Sequence, residues 1–191
     1  MSEAQDHSFV LMGLKHCGKS TQGRLLAKEF GVDFFDTDDV MEELTGKPAR
    51  IIYKTKGPAG FMFDEEKACE KIIMDKGDKQ IVVATGGGIC DNPPAITKLR
   101  ELNTFVFLRL DMKFSIDRIV SKIKMDAPGK FQNLPAYIEA ERPKNMNDVR
   151  AVLQRKFEER VQHYQSIADI IVDIKNASIE ENFKLLYEAI R

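Results

Sequence analysis

The sequence predicts a three-layer α/β/α fold in which helices cover both faces of a five-stranded parallel sheet. Short apolar runs alternate with longer segments of helical periodicity, and this alternation is typical of a parallel sheet. The runs at 82–84 and 105–108 are apolar without interruption, as expected for strands buried on both faces. A length of 191 residues favours one domain, spanning 1–191.

The predicted elements alternate regularly along the chain. Strands are predicted at 8–12, 33–35, 81–84, 104–108 and 169–173. Helices are predicted at 19–30, 38–45, 60–75, 93–101, 112–124, 147–166 and 178–190. Segment 126–148 breaks the pattern, since it holds three of the seven prolines. It is predicted to be a long mobile insertion of the kind that can close over an active site as a lid, and a plain surface excursion is the alternative.

Composition and charge argue against several classes of protein. Hydrophobic residues make up 43% and charged residues 31%, which disfavours a disordered chain. With a net charge of −1, the protein has no overall positive charge that would attract nucleic acid or an anionic membrane. The first seven residues have neither a basic start nor an apolar stretch, so we expect no signal peptide. Three cysteines at no metal-ligand spacing suit a reducing compartment, and a cytoplasmic location is expected.

A phosphate-binding loop is predicted at 13–20, where the sequence reads Gly-Leu-Lys-His-Cys-Gly-Lys-Ser. The glycines let backbone N–H groups point at phosphate oxygens, and the positive end of the following helix adds to the attraction. Lys19 would reach the β- and γ-phosphates of a nucleotide, and Ser20 would hold Mg²⁺. The nucleotide contacts are predicted at Gly13, His16, Cys17, Gly18, Lys19, Ser20 and Thr21. A glycine-containing turn with a solvated lysine is the alternative, but the flanking strand and helix favour the site.

Two further groups follow predicted strands. Asp36 and Asp38 come directly after the strand 33–35, where one carboxylate can hold Mg²⁺ through water and the other can accept a hydroxyl proton. Three glycines at 86–88 follow the strand 81–84 and leave room for a ligand against the backbone. An acidic helix start and a flexible turn are the respective alternatives. Because ligands bind at the carboxyl ends of strands in such folds, these groups are expected to share one crevice.

Together these motifs resemble the shikimate kinase family. The phosphate loop, Asp-Thr-Asp at 36–38 and Ala-Thr-Gly-Gly-Gly at 84–88 occur in the family's order and spacing. Gly57, Phe61 and Glu65 are similar to the family's Gly-Glu-x-x-Phe-Arg-x-x-Glu segment. The segment 159–164 is similar to its Glu-Arg-x-x-x-Tyr helix, and 168–173 to its final strand.

The resemblance implies a P-loop kinase of the nucleoside-monophosphate-kinase type, with strand order 2-3-1-4-5, a lid at 126–148 and an acceptor-binding segment at about 33–65. It implies transfer of the γ-phosphoryl group of ATP to the 3-hydroxyl of shikimate, with Mg²⁺, and a monomer is expected. By position, Lys19 and Asp38 are catalytic, and Ser20 and Asp36 hold the metal. The remaining implied contacts are Arg118 and Arg142 to ATP, and Asp38, Gly86, Gly87, Gly88 and Arg160 to the acceptor, whose carboxylate Arg160 grips.

The sequence departs from the family pattern chiefly at the acceptor end. The family's second carboxylate-binding arginine falls on Met62, which cannot pair with a carboxylate. Arg50, Lys54 or Lys56 could supply the missing contact to the carboxylate. Lys130 and Arg150 are alternative candidates for the ATP contact assigned to Arg142. Two alternative functions therefore stay open. One is a kinase of the same fold for another polyol or hydroxy acid, such as gluconate, and the other is a non-catalytic nucleotide-binding regulator.

Overall fold

A five-stranded parallel sheet forms the centre of the part of the chain that the computed structural model describes, residues 8–191. The expectation of no signal peptide concerns residues 1–7 and lies outside the described residues. In chain order the strands are β1 (Phe9–Met12), β2 (Asp33–Asp36), β3 (Ile81–Ala84), β4 (Thr104–Arg109), β5 (Lys124–Ala127), β6 (Lys130–Gln132) and β7 (Ile170–Asp173). The central sheet has the order β2-β3-β1-β4-β7. This confirms the predicted order 2-3-1-4-5, because β7 is the fifth strand of this sheet.

Both faces of the sheet are buried. Along β1, Val10 and Met12 pack into one hydrophobic cluster, whereas Phe9 and Leu11 pack into a second cluster on the opposite face. All four side chains are at most 2% exposed. The unbroken apolar runs of the sequence are thus explained by helices that cover each face.

The helices of the described residues are α1 (Lys19–Phe30), α2 (Thr37–Thr45), α3 (Ala49–Lys76), α4 (Pro93–Leu99), α5 (Met112–Val120), α6 (Ala136–Glu139), α7 (Met146–Ile167) and α8 (Ile179–Ala189). All seven predicted helices are present. The predicted helix at 112–124 is wrong at its end, because the chain turns after Val120 and Lys124 pairs with Gln132 in a hairpin. The first part of α3 was not predicted. It is separated from the second part by a kink at Gly57, whose φ of 70° favours glycine and which precedes Pro58.

The predicted insertion at 126–148 consists of two different parts. The first is the antiparallel β5–β6 hairpin, an exposed ribbon of two short strands with Gly129 at its turn. The second is anchored, because Leu134 is 4% exposed and Ile138 is fully buried in the larger hydrophobic cluster. The second part of the insertion is therefore packed against the core. The hairpin remains the candidate for the moving part of a lid.

Hydrogen exchange separates these two parts. We expect amides of 124–132 to exchange fast in the free protein and to slow when an unreactive ATP analogue and shikimate are added together, because few buried contacts hold this ribbon. The amide of Ile138, which donates to the Pro135 carbonyl at 2.9 Å, should be protected in both states, as should β3. Strong protection of the hairpin that is equal with and without ligands would contradict a lid role.

Among residues 8–191, no helix is both long enough and apolar enough to cross a membrane.

Candidate active site

A cavity of about 680 Å³ opens at the carboxyl ends of β1, β2 and β3. It brings together most of the residues that the sequence predicted for the site, although they come from four separate stretches of the chain. The predicted residues that line it are His16, Gly18, Lys19, Ser20, Thr21, Asp36, Asp38, Gly86, Gly87, Gly88 and Arg160.

The phosphate loop is shaped by glycine. Gly13 has a φ of 149°, and a Cβ at this position would lie 2.7 Å from the Leu108 carbonyl oxygen and 2.8 Å from Cys17 Sγ. Gly18, with a φ of 99°, is the N-cap of α1. Gly13 and Cys17 therefore shape the loop from behind and are not among the residues that line the cavity.

Lys19 is held at the centre of this loop. Its Nζ donates to the carbonyl oxygens of Gly13 at 3.0 Å and Leu14 at 3.1 Å, and the residue is only 7% exposed. The ammonium group thus lies beside the first turn of α1, where a phosphate would meet both the helix N-terminus and a positive charge.

The glycine segment after β3 packs directly against the phosphate loop. A Cβ on Gly87 would lie 2.9 Å from the backbone nitrogen of Lys15, so a larger residue would separate the two segments. The backbone N–H of Gly86 donates to Thr37 Oγ1 at 2.9 Å, which fixes this segment to the start of α2. These close contacts explain why the three motifs form one site.

Ser20 and Asp36 form an oxygen pair suited to a hard cation. Ser20 Oγ donates to Asp36 Oδ2 at 2.6 Å, so the two oxygens already lie side by side. Asp36 is also the N-cap of α2, because its Oδ1 accepts from the backbone N–H of Asp38 at 3.1 Å. The alternative interpretation of an acidic helix start is therefore correct as well, and the cap orients the carboxylate towards Ser20.

Asp38 projects into the cavity from the first turn of α2. Its side chain is accessible from the cavity, but the walls of the cavity surround it and keep most of the bulk water away. This burial and the neighbouring Asp36 charge raise the pKa of the Asp38 carboxyl. Lys15 lies opposite in the phosphate loop, where burial lowers its pKa and the charge of Asp38 partly offsets that effect.

Glu65 lines the cavity beside the glycine segment and was not assigned a role from the sequence. A Cβ on Gly86 would lie 3.1 Å from Glu65 Oε1 and 3.2 Å from Asp38 Oδ1, so two carboxyl groups flank this glycine. Asn92 Nδ2 donates to Glu65 Oε2 at 2.8 Å, and Glu65 is 2% exposed. Burial, and then the charge of Asp38, raise the pKa of Glu65 to about 7 against the effect of the Asn92 hydrogen bond.

The raised pKa of Glu65 makes the stability of the protein depend on pH. The folded protein binds this proton more tightly than the unfolded chain, so the free energy of unfolding falls as pH rises from the ordinary value of 4.5 through about 7. Glu65→Gln keeps an acceptor for Asn92 and removes this dependence. Between about pH 5 and pH 8.5 we expect the stability of the variant to rise relative to the wild type by about 1–3 kcal/mol, measured by urea unfolding. A difference that stays flat with pH would show that Glu65 titrates near its ordinary value.

Arg160 lies at the far end of the cavity and is held in place from several sides. Its Nε donates to Asp91 Oδ2 at 2.8 Å, and its Nη1 donates to the Gly87 carbonyl oxygen at 3.1 Å. The guanidinium carbon lies 5.2 Å from the centre of the Tyr137 ring. A Cβ on Gly88 would lie 3.0 Å from Arg160 Nη2, so glycine there leaves space for the guanidinium group.

The structure reduces the number of cations that could replace the arginine missing at Met62. Met62 lines the cavity, but Lys54 pairs with Glu139 and Lys56 pairs with Asp64, and neither lysine lines it. Arg50 does line it, and its Nη2 donates to the carbonyl oxygen of Leu134 in the insertion at 3.1 Å.

Sequence reasoning missed Lys156, which also lines the cavity. It precedes Arg160 by four positions on α7, so both side chains lie on one face of the helix. This four-residue spacing from Arg160 was the feature of the sequence that could have indicated Lys156.

The predicted ATP-binding arginines lie outside the cavity walls. Arg118 Nη1 donates to the His16 carbonyl oxygen at 2.6 Å, and its Nη2 donates to Asn176 Oδ1, so it braces the phosphate loop from α5. Arg142 follows α6 at a φ of 52°. Of its two rivals, Lys130 lies on β6, and Arg150 pairs with Asp117. Contacts of these residues to ATP stay predictions.

His16 is neutral in this setting. Burial, and then the positive charges of Lys122 and Lys15, lower the pKa of His16 to about 4. Its backbone has a φ of 66°, a left-handed conformation that the tight loop imposes at a position where glycine is easier to accommodate.

Residues 15–191 match the family model described as shikimate kinase. The chain belongs to the shikimate kinase family. Among its relatives, a shikimate kinase of Francisella tularensis is 31% identical over 174 residues, which are 91% of this chain and 88% of the relative. A shikimate kinase of Lactococcus lactis is 32% identical over 181 residues, covering 95% of this chain and 96% of the relative. Membership makes the chain a phosphotransferase that acts on a hydroxyl group, in a family that uses ATP as phosphate donor.

Solved structures of the family share the fold. Shikimate kinase from Acinetobacter baumannii, in complex with shikimate, aligns with a TM-score of 0.74 at 22% identity. The alignment covers 96% of this chain and 92% of that chain. At this identity the likeness supports the P-loop kinase fold alone.

Proposed function

We propose that this chain transfers the γ-phosphoryl group of ATP to the 3-hydroxyl of shikimate, a step of aromatic amino acid biosynthesis. The observation that carries the proposal is the single cavity in which the phosphate loop with Lys19, the acidic side chain of Asp38 and the guanidinium group of Arg160 all face one space. A nucleotide phosphate and a small carboxylate-bearing acceptor would each find complementary charge there.

At the donor end, the loop N–H groups and Lys19 stabilise the negative charge of the transferring phosphoryl group. Ser20 and Asp36 would hold Mg²⁺, which supplies further charge neutralisation when bound. Their oxygens are 2.6 Å apart and belong to a hydroxyl and a carboxylate, the ligand types that this cation prefers.

At the acceptor end, Asp38 orients the acceptor hydroxyl and accepts its proton as the phosphoryl group moves. Its raised pKa makes it a stronger base than an ordinary aspartate. Because Glu65 is largely neutral below about pH 7, it adds little negative charge beside Asp38 there.

In our proposal, Arg160 and Lys156 together hold the acceptor carboxylate. Lys156 replaces the arginine that the family has at the position of Met62. Residues four apart on a helix have Cβ atoms roughly 5–6 Å apart, so one carboxylate can contact both. Lys156 is 24% exposed and pairs with Glu141 at 3.1 Å, a contact that an acceptor carboxylate would replace. Arg50 is close enough to Lys15 of the phosphate loop for its charge to contribute to lowering the pKa of Lys15.

Substitution of Lys156 tests this arrangement. Lys156→Met should raise KM for shikimate about tenfold or more and leave kcat nearly unchanged, because a charged contact made before and during the reaction is lost. Arg155→Met is the matched control, since Arg155 also pairs with Glu141 but does not line the cavity. Met62→Arg should lower KM by about tenfold, as it adds a further cation at the position where the family has an arginine. Equal KM values for Lys156→Met and the control would remove Lys156 from the acceptor site.

The function itself is tested by an acceptor panel. ADP formation is followed with shikimate, gluconate and other small polyols and hydroxy acids, each with ATP and Mg²⁺. Turnover with shikimate above the others supports the proposal. Turnover with another compound alone would favour the related polyol or hydroxy-acid kinase, and ATP binding without any turnover would favour a regulator.

A further inference from the structure

A second group of potential metal ligands lies at the acceptor end of the cavity, apart from Ser20 and Asp36. In the part of the chain from residue 8 onwards, Cys90, Asp91 and His163 each place one ligand atom within 4.8 Å of the others. Cys90 and Asp91 belong to a 3₁₀ turn at 89–91 after the glycine segment, and His163 belongs to α7. The fold therefore brings together sulfur, oxygen and nitrogen ligands from two elements.

Two of the three ligand–ligand distances are close to those of a tetrahedral zinc site. Asp91 Oδ1 lies 3.7 Å from Cys90 Sγ and 3.6 Å from His163 Nδ1. With the usual zinc–ligand bond lengths and tetrahedral angles, these separations would be about 3.5 Å and about 3.3 Å. The two pairs that include Asp91 therefore need movements of only a few tenths of an ångström. The Cys90 sulfur and the His163 nitrogen lie within 4.8 Å of each other and would have to close to about 3.5 Å. His163 and Asp91 are partly exposed, which leaves a path for an ion.

A buried hydroxyl group next to Cys90 is an independent observation. Tyr164 is fully buried, and among the described residues its hydroxyl makes no hydrogen bond of normal geometry. It lies beside Cys90, close enough for the hydroxyl and the sulfur to interact. A metal-bound thiolate readily accepts a hydrogen bond from a group beyond the first shell of ligands. Tyr164 would find in such a thiolate the acceptor that it otherwise lacks.

We propose that Cys90, Asp91 and His163 bind Zn²⁺, with water as the fourth ligand and the Tyr164 hydroxyl donating to the Cys90 sulfur. Zinc suits a mixed set of thiolate, imidazole and carboxylate, whereas Mg²⁺ prefers oxygen alone. Binding releases the Cys90 proton to solvent, and thiolate and carboxylate then balance the charge of the ion. Asp91 Oδ2 continues to accept a hydrogen bond from Arg160 Nε at 2.8 Å, so the Asp91 carboxylate would connect the ion to the acceptor-binding arginine.

Cobalt provides the test, because Co²⁺ reports its ligands by absorption. The whole chain, freed of metal, is titrated with Co²⁺ in the presence of excess Mg²⁺. We expect one equivalent to give a thiolate-to-cobalt charge-transfer band in the near ultraviolet together with visible bands of tetrahedral cobalt, and Zn²⁺ to abolish both. Cys90→Ser should remove the charge-transfer band, and His163→Gln should weaken Co²⁺ affinity by at least about tenfold.

Cys69→Ser is the matched control, because Cys69 is also a buried free thiol but lies on α3. It should leave the spectrum unchanged. His163 has an exposed side chain, so its substitution keeps the fold intact and the test remains informative if Cys90→Ser is unstable. Absence of a thiolate band at one equivalent, persistence of the band in Cys90→Ser, or unchanged affinity in His163→Gln would each overturn the proposal.

Discussion

Replacement of Lys19 by methionine is expected to lower kcat about a thousandfold or more, because the charge that stabilises the transferring phosphoryl group is lost. Methionine is similar in length to the lysine stem, so the phosphate loop should keep its shape. The Lys19 ammonium donates to two loop carbonyls, and the loss of these contacts should cost little stability, since the loop is also fixed by Gly13 and Gly18.

The matched control for this prediction is Lys28→Met, an exposed lysine in the last turn of the same helix. The measurement is single-turnover and steady-state kinetics with ATP, together with circular dichroism to confirm folding. Near-normal turnover in a folded Lys19→Met protein would contradict the role of this lysine.

Asp38→Asn is expected to lower kcat by about 10²–10⁴-fold while ATP affinity stays nearly normal, because the variant loses the group that orients the acceptor hydroxyl and accepts its proton. Asp36→Asn should instead weaken nucleotide binding that depends on Mg²⁺, since its carboxylate lies beside Ser20 Oγ at 2.6 Å. Calorimetry with ATP, with and without Mg²⁺, measures this difference.

Asp39→Asn is the matched control for both aspartates. It removes a neighbouring carboxylate that pairs with Arg24 at the surface and does not line the cavity. If Asp38→Asn lost ATP binding and Asp36→Asn did not, the two roles would be exchanged.

Much of the fold was predictable because its signals are local. The helix α1 was predicted with its observed bounds, and most strands of the central sheet are apolar runs that can be recognised without any distant residue. The β5–β6 hairpin was not predictable in the same way, since its strands are only four and three residues long, too short for their alternation of polar and apolar residues to stand out. The first part of α3 was missed because Gly57 and Pro58 act as helix breakers in sequence, although the structure continues through them as a kink.

The candidate site shows the same division between local and distant signals. The phosphate loop, Asp36, Asp38 and the glycine segment carry their chemistry in short motifs, and parallel strands bring such motifs to one edge of the sheet. The environment of Glu65 depends on Asn92, which lies 27 positions away, so no local pattern could indicate it. Compensation for Met62 was sought among nearby residues, whereas Lys156 reaches the cavity from α7.

The most direct test of the account is identification of the product by phosphorus and proton NMR after incubation of the protein with ATP, Mg²⁺ and shikimate. The account predicts one ADP for each shikimate consumed and a phosphate ester at the 3-hydroxyl, with no product formed by Lys19→Met on the same timescale. Shikimate that remains unmodified while a different hydroxylated acceptor is phosphorylated under the same conditions would contradict it.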